Sequence, residues 1–199
     1  MLNRKALSLT LSTLILVGCG GTSDATTTSS TENEKVEINR SINTTQAHIL
    51  EVINKARSEV RDCHDSRGLV GPVAPLSWND ELYAAAYEHS SDLAQSNTFS
   101  HEGSGTSSDI TGMNHGGVPS LFNERIEANG YVDFYTVGEN IAGGQESIEE
   151  ALEAWLNSPA HCTNIMNEKY KEIGVAVVSD PDSDYQIYWT QNFGSKESL

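Results

Sequence analysis

Positive charge is scarce in this 199-residue sequence. It has 12 lysines and arginines against 28 aspartates and glutamates, which gives a formal net charge of −16 at pH 7. A surface this acidic repels the phosphates of nucleic acids and the headgroups of anionic lipids. The composition therefore argues against nucleic acid as a partner and indicates an exported, soluble domain.

Long apolar runs are also lacking. The longest mostly apolar stretch covers residues 7–17, which is too short for a transmembrane helix of about 20 apolar residues. Arg4 and Lys5 precede it, as basic residues precede the apolar core of a secretory signal peptide. Residues 16–19, "LVGC", resemble a bacterial lipobox, in which a signal peptidase cuts before the cysteine and the cysteine carries the lipid.

This pattern predicts a signal peptide over residues 1–18 and a lipid anchor on Cys19. The alternative is a plain apolar signal that ends at a chance cysteine. A lipid would anchor the protein to a membrane without spanning it, in the bacterial cell envelope. Gly20 rather than aspartate follows the cysteine, which by resemblance to known sorting rules favours the outer membrane in a cell that has two.

The next stretch has few large apolar residues. Residues 19–41 are rich in threonine and serine and cannot bury enough apolar surface to offset the entropy of ordering them. We predict a disordered tether here, followed by a folded domain over residues 42–199. That length suits one domain with a single core, and we expect the domain to be monomeric.

Cysteine is sparse as well, with three in the whole chain. If Cys19 carries lipid, Cys63 and Cys162 remain as an even pair in an exported domain, which predicts a disulfide between them. It would close a loop of about 100 residues and contribute roughly 4 kcal/mol through the unfolded state. The alternative is a free catalytic thiol at Cys162.

Apolar residues recur at helical spacing in several stretches. The predicted helices cover residues 44–61, a segment that begins at Ser77, residues 120–128 and residues 147–156. Val60 completes the apolar stripe of the first helix, and Asp80 follows Ser77 as in a capping box. Ser147 and Glu150 form a second predicted capping box. His89 lies on the apolar face of the second helix, which favours a core histidine whose hydrogen bonds are satisfied.

The remaining segments predict strands, loops and one short helix. Strands are expected over residues 137–142, 173–178 and 185–193, and residues 100–118 are rich in glycine and serine, which predicts a mobile loop. Ser158 and Pro159 suit the N-cap and first position of a short helix. Helices followed by an antiparallel pair of strands indicate an α+β sandwich.

Seven motifs occur in the order typical of the CAP superfamily, which contains cysteine-rich secretory proteins, venom antigens and pathogenesis-related proteins. They are "PLSWNDEL" (75–82), "HSSDLA" (89–94), "FSH" (99–101), "VGENIAGG" (137–144), "WLNSPAHCTNIMN" (155–167), "IGVAVV" (173–178) and "YWTQNFG" (188–194). The sequence resembles in particular the bacterial SCP-domain branch of this superfamily. The resemblance implies a three-layer α-β-α sandwich with a small antiparallel sheet.

The resemblance also implies a central cleft lined by two histidines and two acidic residues, in which several members bind zinc or a similar cation. By motif, the histidines are His101 and His161 and the first acid is Glu139. The second acid lies three residues beyond the matching tryptophan in animal and plant members, and Ser158 occupies that position here. The implied set of four is therefore incomplete.

Two imidazoles can hold Zn²⁺ or another divalent cation, but they do not make a closed site, because structural zinc takes four protein ligands and catalytic zinc usually keeps three. We interpret Glu139 as orienting one of the histidines through its second N–H. Direct ligation by Glu139 is the alternative, and a hydrogen-bonded cleft without metal is also consistent with these residues.

Three functions are consistent with such a cleft. The favoured one is an envelope lipoprotein that binds a glycan, peptide or lipid of the envelope, because the sequence offers no convincing nucleophile. The second is a metal-assisted hydrolase of peptide or cell-wall material with Glu139 as general base, although the HExxH spacing of metalloproteases is absent. A pairing of Ser158 with His161 is conceivable, but helix capping explains the serine. The third is a structural or adhesion lipoprotein whose cleft is vestigial.

Overall fold

The computed structural model describes residues 44–196. The predicted signal peptide, the predicted lipidation of Cys19 and the predicted tether lie outside these residues. The described helices are α1 (Gln46–Arg57), α2 (Asp80–Ser96), α3 (Ile110–Asn114), α4 (Phe122–Ala128), α5 (Ile148–Leu156) and α6 (Pro159–Ile165). The described strands are β1 (Arg61–Asp62), β2 (Leu69–Val70), β3 (Ser77–Trp78), β4 (Thr136–Gly143), β5 (Glu172–Ser179) and β6 (Ile187–Ser195).

A four-stranded sheet in the order β3-β5-β6-β4 forms the middle layer. Strands β4, β6 and β5 are antiparallel neighbours, and the short β3 pairs with β5 in parallel. In this register Glu139 on β4 lies opposite Asn192 on β6. The fold is therefore α+β, as predicted, with one parallel pair added to the small antiparallel sheet.

Helices cover both faces of the sheet. On one face, α1, α5 and α6 enclose the largest cluster of buried side chains, which includes Ile53, Trp155, Ile165, Trp189 and Phe193. On the other face, α2 packs along β5 and β6, and α4 lies beside α2. The three layers expected from the family resemblance are present.

Helix α2 approaches the sheet most closely at Gly174 on β5. A Cβ atom at this position would lie 2.0 Å from the backbone nitrogen of Tyr83. No side chain fits there, because the helix backbone already occupies the space. Glycine in the "IGVAVV" motif therefore sets the distance between two layers of the sandwich.

Side chains close the outer edge of β4, where no further strand is paired in residues 44–196. Three donors bond alternate carbonyls of the strand: Tyr170 Oη to Val137 O (3.3 Å), Asn164 Nδ2 to Glu139 O (3.1 Å) and Trp155 Nε1 to Ile141 O (2.9 Å). An open strand edge is a template for pairing with other chains, and these bonds block it. They also hold β4 against α5 and α6.

Helix α6 is fastened at several points. The predicted disulfide between Cys63 and Cys162 is confirmed, with Cα atoms 5.4 Å apart. The fully buried Arg57 donates to carbonyl oxygens at the end of α6 and in the loop before β3: Ile165 O (2.5 Å), Asn167 O (3.1 Å) and Ala74 O (2.6 and 3.0 Å). Burial lowers the pKa of Arg57 to about 10, so it remains a cation at neutral pH beside the negative end of the helix dipole.

The first two helices begin and end differently from the prediction. Helix α1 ends at Arg57, and Val60 lies outside it with 56% of its surface exposed. Beyond the helix, the chain forms β1, which pairs with β2. Helical periodicity does not reveal that this strand pairing competes with a longer helix. Helix α2 is capped by Asn79, whose side chain accepts from the backbone of Glu81, whereas Ser77 belongs to β3. The capping box predicted at Ser77 is therefore wrong.

Other predicted caps are correct in position and differ in their bonds. Ser147 caps α5 and accepts from the backbone of Glu150, but the Glu150 carboxylate accepts from Glu146 N rather than from Ser147 N. Ser158 is the N-cap of α6, yet its side chain makes no capping hydrogen bond. Ser158 therefore occupies the N-cap position, but capping gives no role to its hydroxyl group.

The segment predicted as a mobile loop, residues 100–118, contains α3 and an internal hydrogen-bond network. Asp109, 1% exposed, accepts from the backbone of Gly105 (3.0 Å) and Gly112 (2.9 Å) and from the hydroxyl of Ser120 (2.7 Å). Burial raises the pKa of Asp109, and the hydrogen bonds from Ser120 and the backbone outweigh it, so the pKa lies below its usual value. Composition alone does not reveal which side chain binds the surrounding backbone in this way.

Replacing Gly174 with alanine tests the close approach of α2 to the sheet. Glycine to alanine in an open strand position stabilises a protein by roughly 0.5–1 kcal/mol. Here we expect a loss of about 1–3 kcal/mol, because the new methyl group would overlap the helix backbone. Urea denaturation shows whether the substitution lowers or raises the free energy of unfolding. Ser179→Ala, at the end of the same strand, is the matched control and should change stability little; a more stable Gly174→Ala protein would contradict the packing described here.

Candidate functional site

Glu139 and His101 are in direct contact at the edge strand β4. The Nδ1 of His101 lies 2.9 Å from Glu139 Oε1, and the carboxylate side chain is 1% exposed while the imidazole is 49% exposed. Since a carboxylate oxygen accepts, Nδ1 carries the hydrogen and Nε2 faces away from the bond. The bond orients the imidazole so that Nε2 is the nitrogen available to a ligand.

Arg125 on α4 provides the countercharge for Glu139. Its Nη2 donates to Glu139 Oε2 (3.0 Å) and to the backbone oxygen of His101 (2.9 Å), and its Nη1 donates to the backbone oxygen and hydroxyl of Ser120. Both members of the ion pair are 1% exposed at the side chain. Arg125 therefore holds both the carboxylate and the backbone that carries His101.

Glu139 is an anion at neutral pH. Burial raises its pKa, but the hydrogen bonds from His101 and Arg125 and the positive charge of Arg125 outweigh burial, so that its pKa lies below the ordinary value. A carboxylate that is buried, weakly basic and hydrogen-bonded at both oxygens is well suited to orient the His101 imidazole. It is poorly suited to accept a proton from water.

His89 lies beneath this pair, fully buried on the sheet-facing side of α2. Its Nε2 donates to Ser100 O (2.9 Å) and is 3.8 Å from Glu139 Oε1. Within residues 44–196 its Nδ1 has no hydrogen-bond partner, so the expected core histidine is satisfied at one nitrogen only. Burial is the main cause that lowers the pKa of His89, which keeps it neutral at pH 7.

His161 on α6 faces His101 across the edge of β4. The two ring centroids are 6.3 Å apart, with 55° between the ring planes. Asn140 Nδ2 donates to the backbone oxygen of His161 (3.2 Å) and Asn164 Nδ2 donates to Asn140 Oδ1 (2.9 Å), which ties the helix to the strand. Burial, and secondly the neighbouring His101, lower the pKa of His161. At neutral pH its imidazole is therefore uncharged.

The structure thus brings together the three residues assigned by resemblance, His101, His161 and Glu139. Within the described residues, no three histidine, cysteine, aspartate or glutamate side chains are grouped so that they could hold a metal ion. Two facing imidazoles, one backed by a carboxylate, fit an open site with two protein ligands and solvent, and do not fit a closed structural site.

Sequence reasoning missed the residues that position these side chains. Arg125 lies 14 positions before Glu139 and in a different element, so no local pattern links them. Asn140 and Asn164 lie within the "VGENIAGG" and "WLNSPAHCTNIMN" motifs, and their place in these motifs is the sequence signal that could have pointed to them.

The chain belongs to the CAP family, the cysteine-rich secretory protein family. The sequence model of this family matches residues 50–193. It is 33% identical over 121 residues to "Uncharacterized membrane protein YlbC" and 32% identical over 124 residues to "Uncharacterized protein YkwD", both from Bacillus subtilis strain 168. These matches cover 61% and 62% of this chain but 29% and 41% of the two relatives. The chain therefore spans less than half the length of either relative.

Solved structures show the same fold. An extracellular protein containing a SCP domain from Bacillus anthracis is 26% identical, with a TM-score of 0.55, over 87% of this chain and 45% of its own. An outer surface protein from Borrelia burgdorferi superposes with a TM-score of 0.52 at 21% identity, over 83% and 94% of the two chains. At that identity the second match speaks for the fold alone.

No helix within residues 44–196 has the length and apolar character needed to cross a bilayer.

The depressed pKa of His161 is directly measurable. In an NMR pH titration we expect His161 to titrate below the usual value of 6.5. In His101→Ala its pKa should rise without reaching 6.5, because burial is the larger cause and remains. The exposed His64, whose side chain is 80% accessible, gives the control variant His64→Ala, which should leave His161 unchanged. An unchanged His161 pKa in His101→Ala would show that the two rings do not interact as described, and a wild-type pKa at or above 6.5 would contradict the burial of His161.

Proposed function

We propose that this chain is a lipid-anchored protein of the bacterial cell envelope whose cleft between His101 and His161 binds an envelope ligand. The observation that carries the proposal is the pair of imidazoles whose ring centroids lie 6.3 Å apart, one of them oriented by a buried carboxylate. Such a pair offers ring nitrogens to a ligand's hydrogen-bond donors or to a divalent cation. The extracellular SCP-domain protein of Bacillus anthracis supports the location outside the cytoplasm.

The geometry favours binding over hydrolysis. A metal-assisted hydrolase would need Glu139 to take a proton from a bound water. Both oxygens of that carboxylate are already engaged, by His101 and Arg125, and its side chain is 1% exposed. Glu139 is therefore not free to act as the general base of that mechanism, whereas the two imidazoles remain available for binding.

A divalent cation is the proposed companion of the ligand. His101 Nε2 and a ring nitrogen of His161 would hold it, and Glu139 would fix the orientation of His101 through the Nδ1 hydrogen bond. A bound cation would supply positive charge to a carboxylate, phosphate or carbonyl group of the ligand. With two protein ligands it would be held weakly and exchange readily.

Cleft binding is tested with purified protein that carries Cys19→Ser in every sample, so that no lipid anchors it and wild type here refers to the cleft. Each protein is sedimented with the insoluble envelope fraction of the cell that makes it. We expect wild type to co-sediment and the double variant His101→Ala, His161→Ala to remain in the supernatant, because the ring nitrogens are removed. Calorimetric titration with zinc on the same two proteins decides whether metal takes part, and a chelator should release the wild type if it does. His64→Ala is the control on a surface histidine. Equal sedimentation of wild type and double variant would refute the cleft as the binding site.

The lipid anchor is tested by growth with a radiolabelled fatty acid. The wild-type chain should incorporate label and fractionate with membranes, and Cys19→Ser should lose both properties, because the thioether-forming sulfur is gone. Cys63→Ser removes a different cysteine and should keep the label even though it breaks the disulfide. Label retained in Cys19→Ser would contradict the anchor.

A further inference from the structure

A groove lies on the outer face of α2, on the side of the helix opposite the sheet. It has a volume of about 620 Å³ and lies between α2, the segment that leads into α3, and the end of α4. Four of the α2 residues that line it, Tyr83, Tyr87, Ser91 and Gln95, are spaced four positions apart and share one face of the helix. None of the cleft residues His101, Glu139 and His161 lines it.

Aromatic rings form a continuous surface along this face. Tyr83 and Tyr87 are 39% and 51% exposed, and their ring centroids are 6.3 Å apart with the planes tilted by 33°. Trp78 extends the row, with its ring 5.6 Å from that of Tyr83. Neither tyrosine hydroxyl makes a hydrogen bond within the described part of the chain. Exposed rings at this spacing present successive faces for stacking, and core packing does not account for them.

Neutral polar groups line the rest of the groove. Within residues 44–196, the side chains of Ser91, Gln95, Ser107 and Asn114 make no hydrogen bonds, although all four line the groove. They present hydroxyl and amide groups that both donate and accept. The groove thus combines stacking surfaces with uncharged hydrogen-bonding groups whose capacity the protein itself leaves unused.

The groove carries no available charge, although the chain as a whole is strongly acidic. Its lining includes no lysine, arginine, histidine or aspartate, and its one carboxylate, Glu88, is 9% exposed. Both oxygens of Glu88 are occupied, one by Thr111 N (2.8 Å) and the other by Asn129 Nδ2 (2.7 Å). The same bonds fix α3 and the end of α4 as the wall opposite α2. A charged ligand would find no partner there.

We propose that this groove binds an uncharged oligosaccharide. The negative face of an aromatic ring attracts the polarised C–H groups on one side of a pyranose ring, while the hydroxyls at its rim need neutral donors and acceptors. The two tyrosines supply the aromatic faces, and the serine, glutamine and asparagine side chains supply the neutral donors and acceptors. A fatty acyl chain would leave those polar groups unpaired, and a charged peptide would find no countercharge.

The experiment is calorimetric titration of the full-length protein with two uncharged probes, a hexamer of glucose and a hexamer of N-acetylglucosamine. We expect at least one to bind. Tyr87→Ala should weaken that binding about 5-fold or more, and Tyr83→Ala with Tyr87→Ala should abolish it, because the stacking surface is removed. Tyr87→Phe keeps the ring and should bind within about 2-fold of wild type. Both tyrosines are exposed, so circular dichroism should show unchanged folding in every variant.

Two controls separate this groove from other surfaces and from the cleft. Tyr135→Ala removes a tyrosine that is 58% exposed and does not line the groove, and it should bind the probe as wild type does. The double variant His101→Ala, His161→Ala should also bind the probe unchanged, so that loss of cleft function and loss of groove function are told apart.

Three results would overturn the proposal. The first is that neither hexamer binds. The second is that binding persists unchanged when both tyrosines are alanine. Loss of binding in the histidine double variant would equally overturn it, because that result would place the saccharide in the cleft. The third is that a fatty acid or a cationic peptide, titrated in parallel, binds in a manner that depends on the tyrosines while the hexamers do not.

Discussion

The buried ion pair of Glu139 and Arg125 is the constraint around which the cleft is organised. A carboxylate that is 1% exposed requires a partner, since desolvation of an unpaired charge costs several kcal/mol by order of magnitude. Arg125 meets that requirement from α4, and its remaining donors bind Ser120 and the backbone of His101. One guanidinium thus links the edge strand, the helix that follows the 100–118 segment, and the residue that presents an imidazole to the cleft.

The opposite wall of the cleft is held in place from outside the helix that carries it. Helix α6 spans only Pro159–Ile165, and isolated helices shorter than about 12 residues are marginal in water. The disulfide holds α6 at Cys162, Arg57 binds carbonyls at its end, and Asn164 bonds the edge strand. These contacts reach three different elements of the fold, so His161 is positioned by tertiary structure and not by helix propensity.

How much was predictable from the sequence varies with the range of the interaction. Helix α5 was predicted at its correct bounds, because its cap at Ser147 and its apolar stripe are local signals. The end of α1 was wrong, because Val60 has helical spacing while the chain there pairs in a two-stranded ladder. The structure around Asp109 was missed, because a glycine- and serine-rich composition does not reveal which side chain binds the backbone. The role of Arg125 was missed, because the fold alone brings it close to Glu139. The cleft histidines were assigned by family resemblance; spacing along the chain alone does not bring His101 to His161.

Helix α2 connects the two surfaces to which we assign binding. Its sheet-facing side carries His89 beneath Glu139, and its outer side carries Tyr83 and Tyr87 along the groove. The groove wall and the cleft also share α4, because Asn129 at the end of that helix bonds Glu88 while Arg125 within it bonds Glu139. A shift of α4 relative to α2 would therefore strain both carboxylate networks at once. Since each buried carboxylate has both oxygens occupied, such a shift would break a hydrogen bond to one of them. The two surfaces are thus linked through α4, although they differ in the chemistry they present: ring nitrogens in the cleft, and stacked rings with neutral polar groups in the groove.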